Sequence, residues 1–423
     1  MNRLKFIVLL TLAGWGVFSL SGCRMVQTGK SQQAEQSMTG PKQAYFPQRD
    51  SVPYSSPAGN ETKDKLQYTF PTPYQPVRLA THQITQGKRE EGRSVRNVVL
   101  MIGDGMGLSQ ISAAWVANRG ALNFDHFTHT GFSRTTAANR LITDSGAAGT
   151  AMATGQKTLY HSVGVDTLGN RLPSLATLAA RKGLSTAVVV TCGLTDATPA
   201  AFCSGNADRS REEDIALGYL DCGVDFIFGG GRVQFTQRAD GRNLLDEMAA
   251  RGYQVATSWE ATQPVTSGKL IAIFQEGQIP LAAQRGDLFR KASMKAISLL
   301  SRNPRGFFAM LEGSRIDDCG HQNDIPLLVN EVADFDQTIG EVLQWASNDG
   351  HTLVIVLADH ETGGLTLLGG DLKTGFIQGH FSTKDHSGIL VPVFAFGPGA
   401  DNFTGVYENT AIFTKIAQLL ELD

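Results

Sequence analysis

The sequence lacks an excess of positive charge, which bears on the class of partner. Its 423 residues contain 37 lysines and arginines against 40 aspartates and glutamates, so the formal net charge is −3. Nucleic-acid-binding proteins normally carry a basic excess, so we expect no nucleic-acid partner. The hydrophobic fraction of 42% and the charged fraction of 18% exclude a chain that is disordered throughout.

The N-terminus lacks a hydrophobic run long enough to span a bilayer. Residues 6–21, FIVLLTLAGWGVFSLS, carry no charge, but a span needs about 20 apolar residues. The pattern is typical of a secretory signal peptide, here residues 1–22. It ends in LSGC, with Cys23 last, which resembles the lipobox of bacterial lipoproteins. We expect an exported protein that is lipid-anchored to a bacterial membrane through Cys23, with ordinary secretion as the alternative.

The segment after Cys23 lacks sustained hydrophobic periodicity. Seven of the 15 prolines fall within residues 24–92. We interpret residues 23–92 as a flexible tether. The alternative is an arm packed on the domain or on a partner subunit, with residues 64–80 the best candidates.

In enteric-type bacteria the lipobox resemblance implies the outer membrane, with the protein facing the periplasm or the cell surface.

Cysteine is also scarce. The exported part retains Cys192, Cys203, Cys222 and Cys319, whose spacings fit neither a zinc ribbon nor a CxxC redox pair. One disulfide suits an oxidising compartment, and Cys203–Cys222 is the preferred pair. Buried free thiols are the alternative.

From residue 93 onward, short apolar runs alternate with helical patterns. These runs are predicted to form buried parallel strands, at residues 97–102, 186–191, 225–228, 270–274, 307–311, 352–358 and 391–396. The predicted helices are 109–119, 145–154, 173–182, 212–220, 242–251, 286–301, 325–347 and 409–420. Apolar strands separated by helices indicate one α/β domain, residues 93–423, with a large, mostly parallel sheet covered on both faces.

Polar side chains follow four of these strands. Because the carboxyl ends of parallel strands meet at one edge of a sheet, we expect these side chains to lie close together. They are Asp104, Asp196, Thr198, Glu312, Asp317, His321, Asp359 and His360. Carboxylates and imidazoles collected in this way indicate a multi-metal site.

Single motifs are ambiguous when each is taken alone. Ser145, in TDSGAAGTAMATG, is placed to begin a helix, where it could meet an anion or simply cap the helix. Asp317 and His321 share a helix face at i, i+4, as zinc ligands or as a solvated pair. His386 could complete their set, with His380 as its competitor.

Taken in order, the motifs resemble those of alkaline phosphatases over about residues 95–418. They are IGDGMG, TDSGAAGTAMATG, DATPAAF, EGSRIDDCGH, ADHETGG and HSGILVPVFAFGPGA. The resemblance implies hydrolysis of small phosphate monoesters to an alcohol and inorganic phosphate through a phosphoseryl intermediate. It also implies a homodimer.

The resemblance further implies two zinc ions and one magnesium ion. The first zinc would be bound by Asp317, His321 and His386. The second zinc would be bound by Asp104, Asp359 and His360. Magnesium would be bound by Asp104, Thr198 and Glu312. Ser145 would be the nucleophile, and Arg209 would bind the phosphate oxygens.

Two acids depart from the pattern or vary within it. Asp318 replaces the Lys, His or Trp of various relatives, and Asp196 occupies a position that varies between Asp and His. Both could favour Mg²⁺ through water, or weaken the binding of phosphate. Two other functions remain open, a phosphodiesterase of the same superfamily and a lipoprotein that binds phosphate or metal without turnover.

Overall fold

The structure is a computed structural model and describes residues 66–79 and 94–422. Its strands are β1 (Leu66–Thr69), β2 (Asn97–Gly103), β3 (His129–Arg134), β4 (Ser185–Gly193), β5 (Phe226–Gly230), β6 (Tyr253–Ala256), β7 (Lys269–Ile273), β8 (Phe307–Gly313), β9 (Thr352–Ala358), β10 (Glu361–Thr362), β11 (Leu365–Asp371), β12 (Phe376–Phe381), β13 (His386–Ser387), β14 (Val391–Phe396) and β15 (Gly405–Glu408). Its α-helices are α1 (Leu108–Ala117), α2 (Ser145–Thr154), α3 (Leu175–Lys182), α4 (Ala197–Cys203), α5 (Glu212–Leu217), α6 (Val233–Thr236), α7 (Leu244–Ala250), α8 (Trp259–Thr262), α9 (Ala282–Arg285), α10 (Leu288–Leu300), α11 (Arg315–Gln322), α12 (Ile325–Asp349) and α13 (Thr410–Leu419).

A ten-stranded sheet forms the centre of the molecule, in the order β15-β3-β14-β9-β2-β8-β4-β5-β7-β6. The seven strands from β9 to β6 in this order are mutually parallel. Every strand predicted from the sequence lies in this sheet, and the predicted α/β fold is confirmed.

The direction of β14 corrects one expectation. The sequence predicted residues 391–396 as a parallel strand, but β14 runs antiparallel to both β9 and β3. The chain between β9 and β14 contains only short strands and turns, and a parallel pair requires a crossover connection, usually a helix. The chain therefore enters β14 from the edge at which β9 ends.

Helices cover both faces of the sheet because its central strands are apolar on both sides. In β2, Val99 and Met101 pack into one hydrophobic cluster with α1, α10 and α12. The alternate residues Val98, Leu100 and Ile102 pack into a second cluster with α2, α3, α4 and α13. This alternation follows from the two-residue period of a strand and leaves the carboxyl edge of the sheet to the polar loops.

Two short strands tie these loops together at that edge. β10 pairs with β13, with Glu361 opposite Ser387 and Thr362 opposite His386. β10 directly follows His360, so the pairing brings the segments that carry His360 and His386 side by side.

Residues 66–79, which lie inside the predicted tether, pack against the domain. β1 pairs antiparallel with β12, Phe70 is buried, and the Tyr74 hydroxyl donates to Asp336 Oδ2 at 2.7 Å. The rest of the predicted tether, the signal peptide 1–22 and Cys23 lie outside the described residues.

All four cysteines of the domain are buried free thiols, which agrees with the second of the two alternatives drawn from their spacing. Among the described helices, we find none with both the length and the apolar composition of a membrane span.

Candidate active site

Ser145 occupies the first turn of α2, at the carboxyl edge of the sheet. Asp144 is the N-cap of this helix, and its Oδ1 accepts a hydrogen bond from the Ala147 amide at 3.2 Å. Ser145 is 4% exposed, and its Oγ lies 3.1 Å from His360 Nε2. The free amides and the dipole of a helix N-terminus favour negative charge at this position.

Asp317, His321 and His386 form the first ligand group. His321 Nε2 lies 3.2 Å from Asp317 Oδ2 and 3.2 Å from His386 Nε2. One ligand atom from each residue lies within 4.8 Å of the others. The helix α11 brings Asp317 and His321 together, because residues four apart share a face of a helix.

Backbone carbonyls orient both imidazoles of the first group. His321 Nδ1 lies 2.6 Å from the Lys384 carbonyl oxygen, and His386 Nδ1 lies 2.8 Å from that of Thr143. A carbonyl oxygen can only accept a hydrogen bond, so Nδ1 carries a proton in both rings, and Nε2 is the nitrogen that could face a metal ion.

Asp104, Asp359 and His360 form the second ligand group, and all three are buried. His360 Nε2 lies 3.1 Å from Asp359 Oδ2 and 3.5 Å from Asp104 Oδ1. The rings of His360 and His386 stack with centroids 3.6 Å apart, so the two groups are adjacent.

The Thr362 hydroxyl connects the two groups. It donates a short hydrogen bond to Asp317 Oδ1 and lies 3.2 Å from His360 Nδ1. Because its proton is used on Asp317, the hydroxyl accepts from Nδ1–H of His360. This hydrogen bond directs the Nε2 lone pair of His360 toward Asp104 and Asp359.

Glu312 and Thr198 lie beside the second group and supply oxygen atoms. Each is 1% exposed. Burial and the charges of Asp196 and Asp359 raise the pKa of Glu312 to about 8, although Thr198 and Ser314 lower it. The set of oxygen donors suits a hard cation such as Mg²⁺.

The buried carboxylates at this edge repel one another, and a bound cation would offset that repulsion. Burial, followed by the charges of Asp359 and Asp317, raises the pKa of Asp104 far above its ordinary value. Within the described residues, Asp104 Oδ1, Asp359 Oδ2 and Thr198 Oγ1 are buried without a hydrogen-bond partner. Orphaned buried oxygens are costly, and bound cations would satisfy them.

Arg209 approaches the same edge and is held by two carboxylates. Its guanidinium donates to Asp144 Oδ2 and to Asp196 Oδ1, both at 3.0 Å. Burial lowers the pKa of Arg209, but the charges of Asp196 and Asp144 outweigh it and raise the pKa above the ordinary value. A guanidinium carries five N–H donors, so three remain for a ligand.

The two unusual acids differ in their partners. Asp196 binds Arg209 and accepts from the Ala197 amide at 2.7 Å. Asp318 Oδ2 accepts a short hydrogen bond from Arg315 Nε–H, so the charge of Arg315 offsets that of Asp318.

The structure thus brings together the side chains expected at the site: Asp104, Ser145, Thr198, Arg209, Glu312, Asp317, His321, Asp359, His360 and His386. His386, not its competitor His380 in β12, joins Asp317 and His321. Sequence reasoning missed Thr362 as the link between the ligand groups, and Asp144 as the partner of Arg209. The position of Asp144 before a helical pattern was the available signal for its capping role.

Comparisons with known proteins agree on one family. The family model described as alkaline phosphatase matches residues 95–378. Alkaline phosphatase 4 of Bacillus subtilis (strain 168) is 30% identical over 419 residues, covering 79% of this chain and 90% of that protein. Alkaline phosphatase 3 of the same organism is 33% identical over 438 residues, covering 81% and 94%.

Solved structures give the same result. The chain is similar to the alkaline phosphatase from the Antarctic bacterium TAB5, with 37% identity, a TM-score of 0.75 and coverage of 78% of this chain and 99% of that one. A mutant of that enzyme with Mg bound in its M3 site matches at 36% identity with a TM-score of 0.74, again covering 78% and 99%. The chain therefore belongs to the alkaline phosphatase family, the enzymes that hydrolyse phosphate monoesters.

Proposed function

We propose that this enzyme hydrolyses phosphate monoesters through a phosphoseryl intermediate on Ser145. The observation that carries the proposal is the position of Ser145 Oγ, at the N-terminus of α2 and 3.1 Å from His360 Nε2. Ser145 thus stands beside a buried group of ligand-type side chains. A hydroxyl placed there has a role as a nucleophile that a site for mere phosphate capture would not need.

Arg209 and Ser145 have different roles in the proposed reaction. Arg209 presents its remaining N–H groups to two non-bridging phosphate oxygens. Ser145 Oγ bonds to phosphorus as the ester P–O bond breaks, and the alcohol leaves with the bonding electron pair and a proton. Water then breaks the Ser145–phosphorus bond, releasing inorganic phosphate and restoring the hydroxyl.

We further propose that the site binds two zinc ions and one magnesium ion. Asp317, His321 and His386 would hold the first zinc. Asp104, Asp359 and His360 would hold the second zinc. Asp104, Thr198 and Glu312 would hold magnesium. When bound, these ions supply positive charge that stabilises the entering and the leaving oxygen. The orphaned oxygens of the site, and the Mg bound by the TAB5 mutant, support this assignment.

Ser145→Ala tests the nucleophile. We expect hydrolysis of p-nitrophenyl phosphate to fall by at least a thousandfold while zinc and magnesium contents stay at the wild-type level. Acid quenching of wild type with radiolabelled phosphate should give one labelled peptide, which contains Ser145. Label on any other residue would contradict the assignment. Faster hydrolysis of the bis ester than of the monoester would favour the phosphodiesterase.

Glu312→Gln tests the magnesium site. Gln keeps the shape but loses the charge that a hard cation prefers. We expect loss of magnesium with both zinc ions retained, measured by elemental analysis. Glu276→Gln, at an exposed acid outside the proposed ligand set, is the matched control. Loss of zinc in place of magnesium would contradict the assignment of Glu312.

We also propose that the enzyme is exported, carries a lipid on Cys23 and is held at a bacterial membrane, with the outer membrane as the expected location. The support is the signal-like run followed by LSGC. Cys23→Ser should release active enzyme from washed membranes, and membrane retention unchanged by this substitution would refute the anchor. The family resemblance supports a homodimer, which sedimentation of the released enzyme would test.

A further inference from the structure

His161 has a backbone conformation that is uncommon for a residue with a Cβ. Its φ is +71°, in the left-handed region. Glycine adopts this region freely, whereas a residue with a Cβ does so at a cost. Such outliers persist where surrounding contacts impose them, and they are concentrated at functional sites. The contacts of His161 therefore indicate what the strained conformation achieves.

Both backbone polar groups of His161 form hydrogen bonds with Asp144 and Arg209, which are themselves an ion pair. Its N–H donates to Asp144 Oδ1 at 3.2 Å, and its carbonyl oxygen accepts from the Arg209 amide at 2.9 Å. Asp144 Oδ2 in turn accepts from Arg209 at 3.0 Å. The three residues form a closed ring of hydrogen bonds directly beside Ser145.

The flanking chain holds this ring in place. Val163 and Asn206 exchange backbone hydrogen bonds at 2.9 and 2.7 Å, and the Ser162 hydroxyl donates to the Ala207 carbonyl at 2.8 Å. A Cβ on Gly146 would lie 2.7 Å from the Ser162 carbonyl oxygen. The turn at His161 is thus pressed against the first turn of α2.

The side chain and the backbone of His161 have different partners. The imidazole is 54% exposed and lies 3.4 Å from Asp208 Oδ1, whereas the backbone faces Asp144 and Arg209. His161 therefore contacts Asp144 and Arg209 through its backbone and not through its imidazole. What the site requires of position 161 is the left-handed conformation.

We propose that His161 is a positioning residue for phosphate recognition. Its left-handed backbone fixes Asp144 against Arg209, so that the remaining guanidinium N–H groups face the phosphate. The inference rests on the proposed role of Arg209 as the phosphate-binding group. It predicts that residues at position 161 are ranked by their tolerance of positive φ and not by their resemblance to histidine.

The test is the inhibition constant of inorganic phosphate, measured with the metal-loaded enzyme. In His161→Val, whose branched side chain resists positive φ, we expect that constant and KM to rise about tenfold, with a smaller change in kcat, because small displacements of a binding group are costly. His161→Gly and His161→Asn, which tolerate this region, should recover the affinity that His161→Val loses. His161→Ala replaces the valine variant if it does not fold.

Two controls distinguish the positioning role of His161 from the phosphate-binding role of Arg209. Arg119→Val changes another residue with positive φ, +62°, and should leave the phosphate inhibition constant at the wild-type value. In an Arg209→Ala background, His161→Val should add no further loss, because its effect passes through Arg209.

Each result decides one of the two questions. If Arg209→Ala leaves phosphate affinity intact, the proposed role of Arg209 fails. If Arg209→Ala weakens phosphate binding but His161→Val does not, the positioning role is overturned and that of Arg209 stands. Equal losses in the valine, glycine and asparagine variants would also overturn it, because the imidazole would then be the active part.

Discussion

A single hydroxyl joins the two groups of ligand-type side chains. Thr362 donates to Asp317 and faces His360 Nδ1 at 3.2 Å. Thr362→Val keeps the shape of the side chain but leaves His360 Nδ1–H without its acceptor. We expect zinc affinity to fall about 10- to 100-fold, the usual loss when a partner of a ligand is removed.

Competition with a zinc chelator measures this affinity, and Thr362→Ser is the matched control because it keeps the hydroxyl. Equal zinc affinities in the valine and serine variants would show that the hydrogen bond does not matter.

The pair of Asp318 and Arg315 allows a second test with single residues. Asp318 is 45% exposed on its side chain and Arg315 is 16% exposed. In Asp318→Asn, the charge of Arg315 loses its partner close to the site. We expect the phosphate inhibition constant to fall about two- to fivefold, since one charge a few ångströms away is worth about 1 kcal/mol in water-like surroundings. Asp318→Glu keeps the charge and is the control. Weaker phosphate binding in the asparagine variant would contradict this account.

Residue types at the site could be predicted from sequence where they follow strands directly, as Asp104 and Asp359 do. The role of Thr362 could not, because it depends on a contact with Asp317 of α11, 45 residues away, which no local pattern shows. The turn at His161 was equally hidden, since a single histidine is not enough to identify a position of positive φ. In both cases the information lies in contacts between distant parts of the chain.

Among the strands, those with strong hydrophobic signals were predicted and those with mixed signals were not. β2 and β9 are buried along their whole length, so their apolar runs identified them. β15 has no fully buried residue, and β6 has two exposed central residues, so neither shows such a run. The antiparallel direction of β14 follows from its connection to β9, not from its own residues.

The segment of residues 66–79 can be tested as an element. Its Tyr74 hydroxyl donates at 2.7 Å to Asp336, a carboxylate that is fully buried. Burial raises the pKa of Asp336 and outweighs the hydrogen bonds from Asn123 and Tyr74, which lower it, so that the pKa is about 6. Tyr74→Phe removes one of these donors, and we expect the free energy of unfolding to fall by about 1.5–3 kcal/mol, the value of a hydrogen bond to a charged group.

Urea unfolding would measure that loss. Tyr68→Phe is the matched control, since the Tyr68 oxygen only accepts a long hydrogen bond from Asn330, at 3.4 Å. We expect a smaller change there. An equal or larger loss in the Tyr68 variant would mean that Tyr74 is not the main attachment of the segment.

For the molecule as a whole, the acids at the sheet edge connect the proposed binding of metal ions with the pH dependence of stability. In the metal-free protein, the pKa of Glu312 is raised to about 8 from its ordinary value of 4.5, and that of Asp104 is also raised. The folded chain then holds protons that the unfolded chain has released. This contribution to stability is complete below pH 4.5 and is lost as the pH rises through about 8.

The histidines modify this dependence without reversing it. The hydrogen bond to Asp317 raises the pKa of His321 to about 9, so its contribution is also lost as the pH rises. Burial and the charge of His360 lower the pKa of His386, which acts in the opposite sense near neutral pH. Burial lowers the pKa of His360, but the charge of Asp359 and its hydrogen bond outweigh burial and raise the pKa. Four of these site groups therefore act against one between pH 5 and 9.

We expect the melting temperature of the chelator-treated enzyme to fall by several degrees between pH 5 and 9, because a loss of a few kcal/mol corresponds to such a shift. With Zn²⁺ and Mg²⁺ restored the decline should largely disappear, since the cations take the place of the protons and bind only the folded site. Glu312→Gln, which cannot titrate, should flatten the metal-free curve. Parallel curves with and without metal, in thermal unfolding followed by circular dichroism, would show that these acids are not the metal-binding groups.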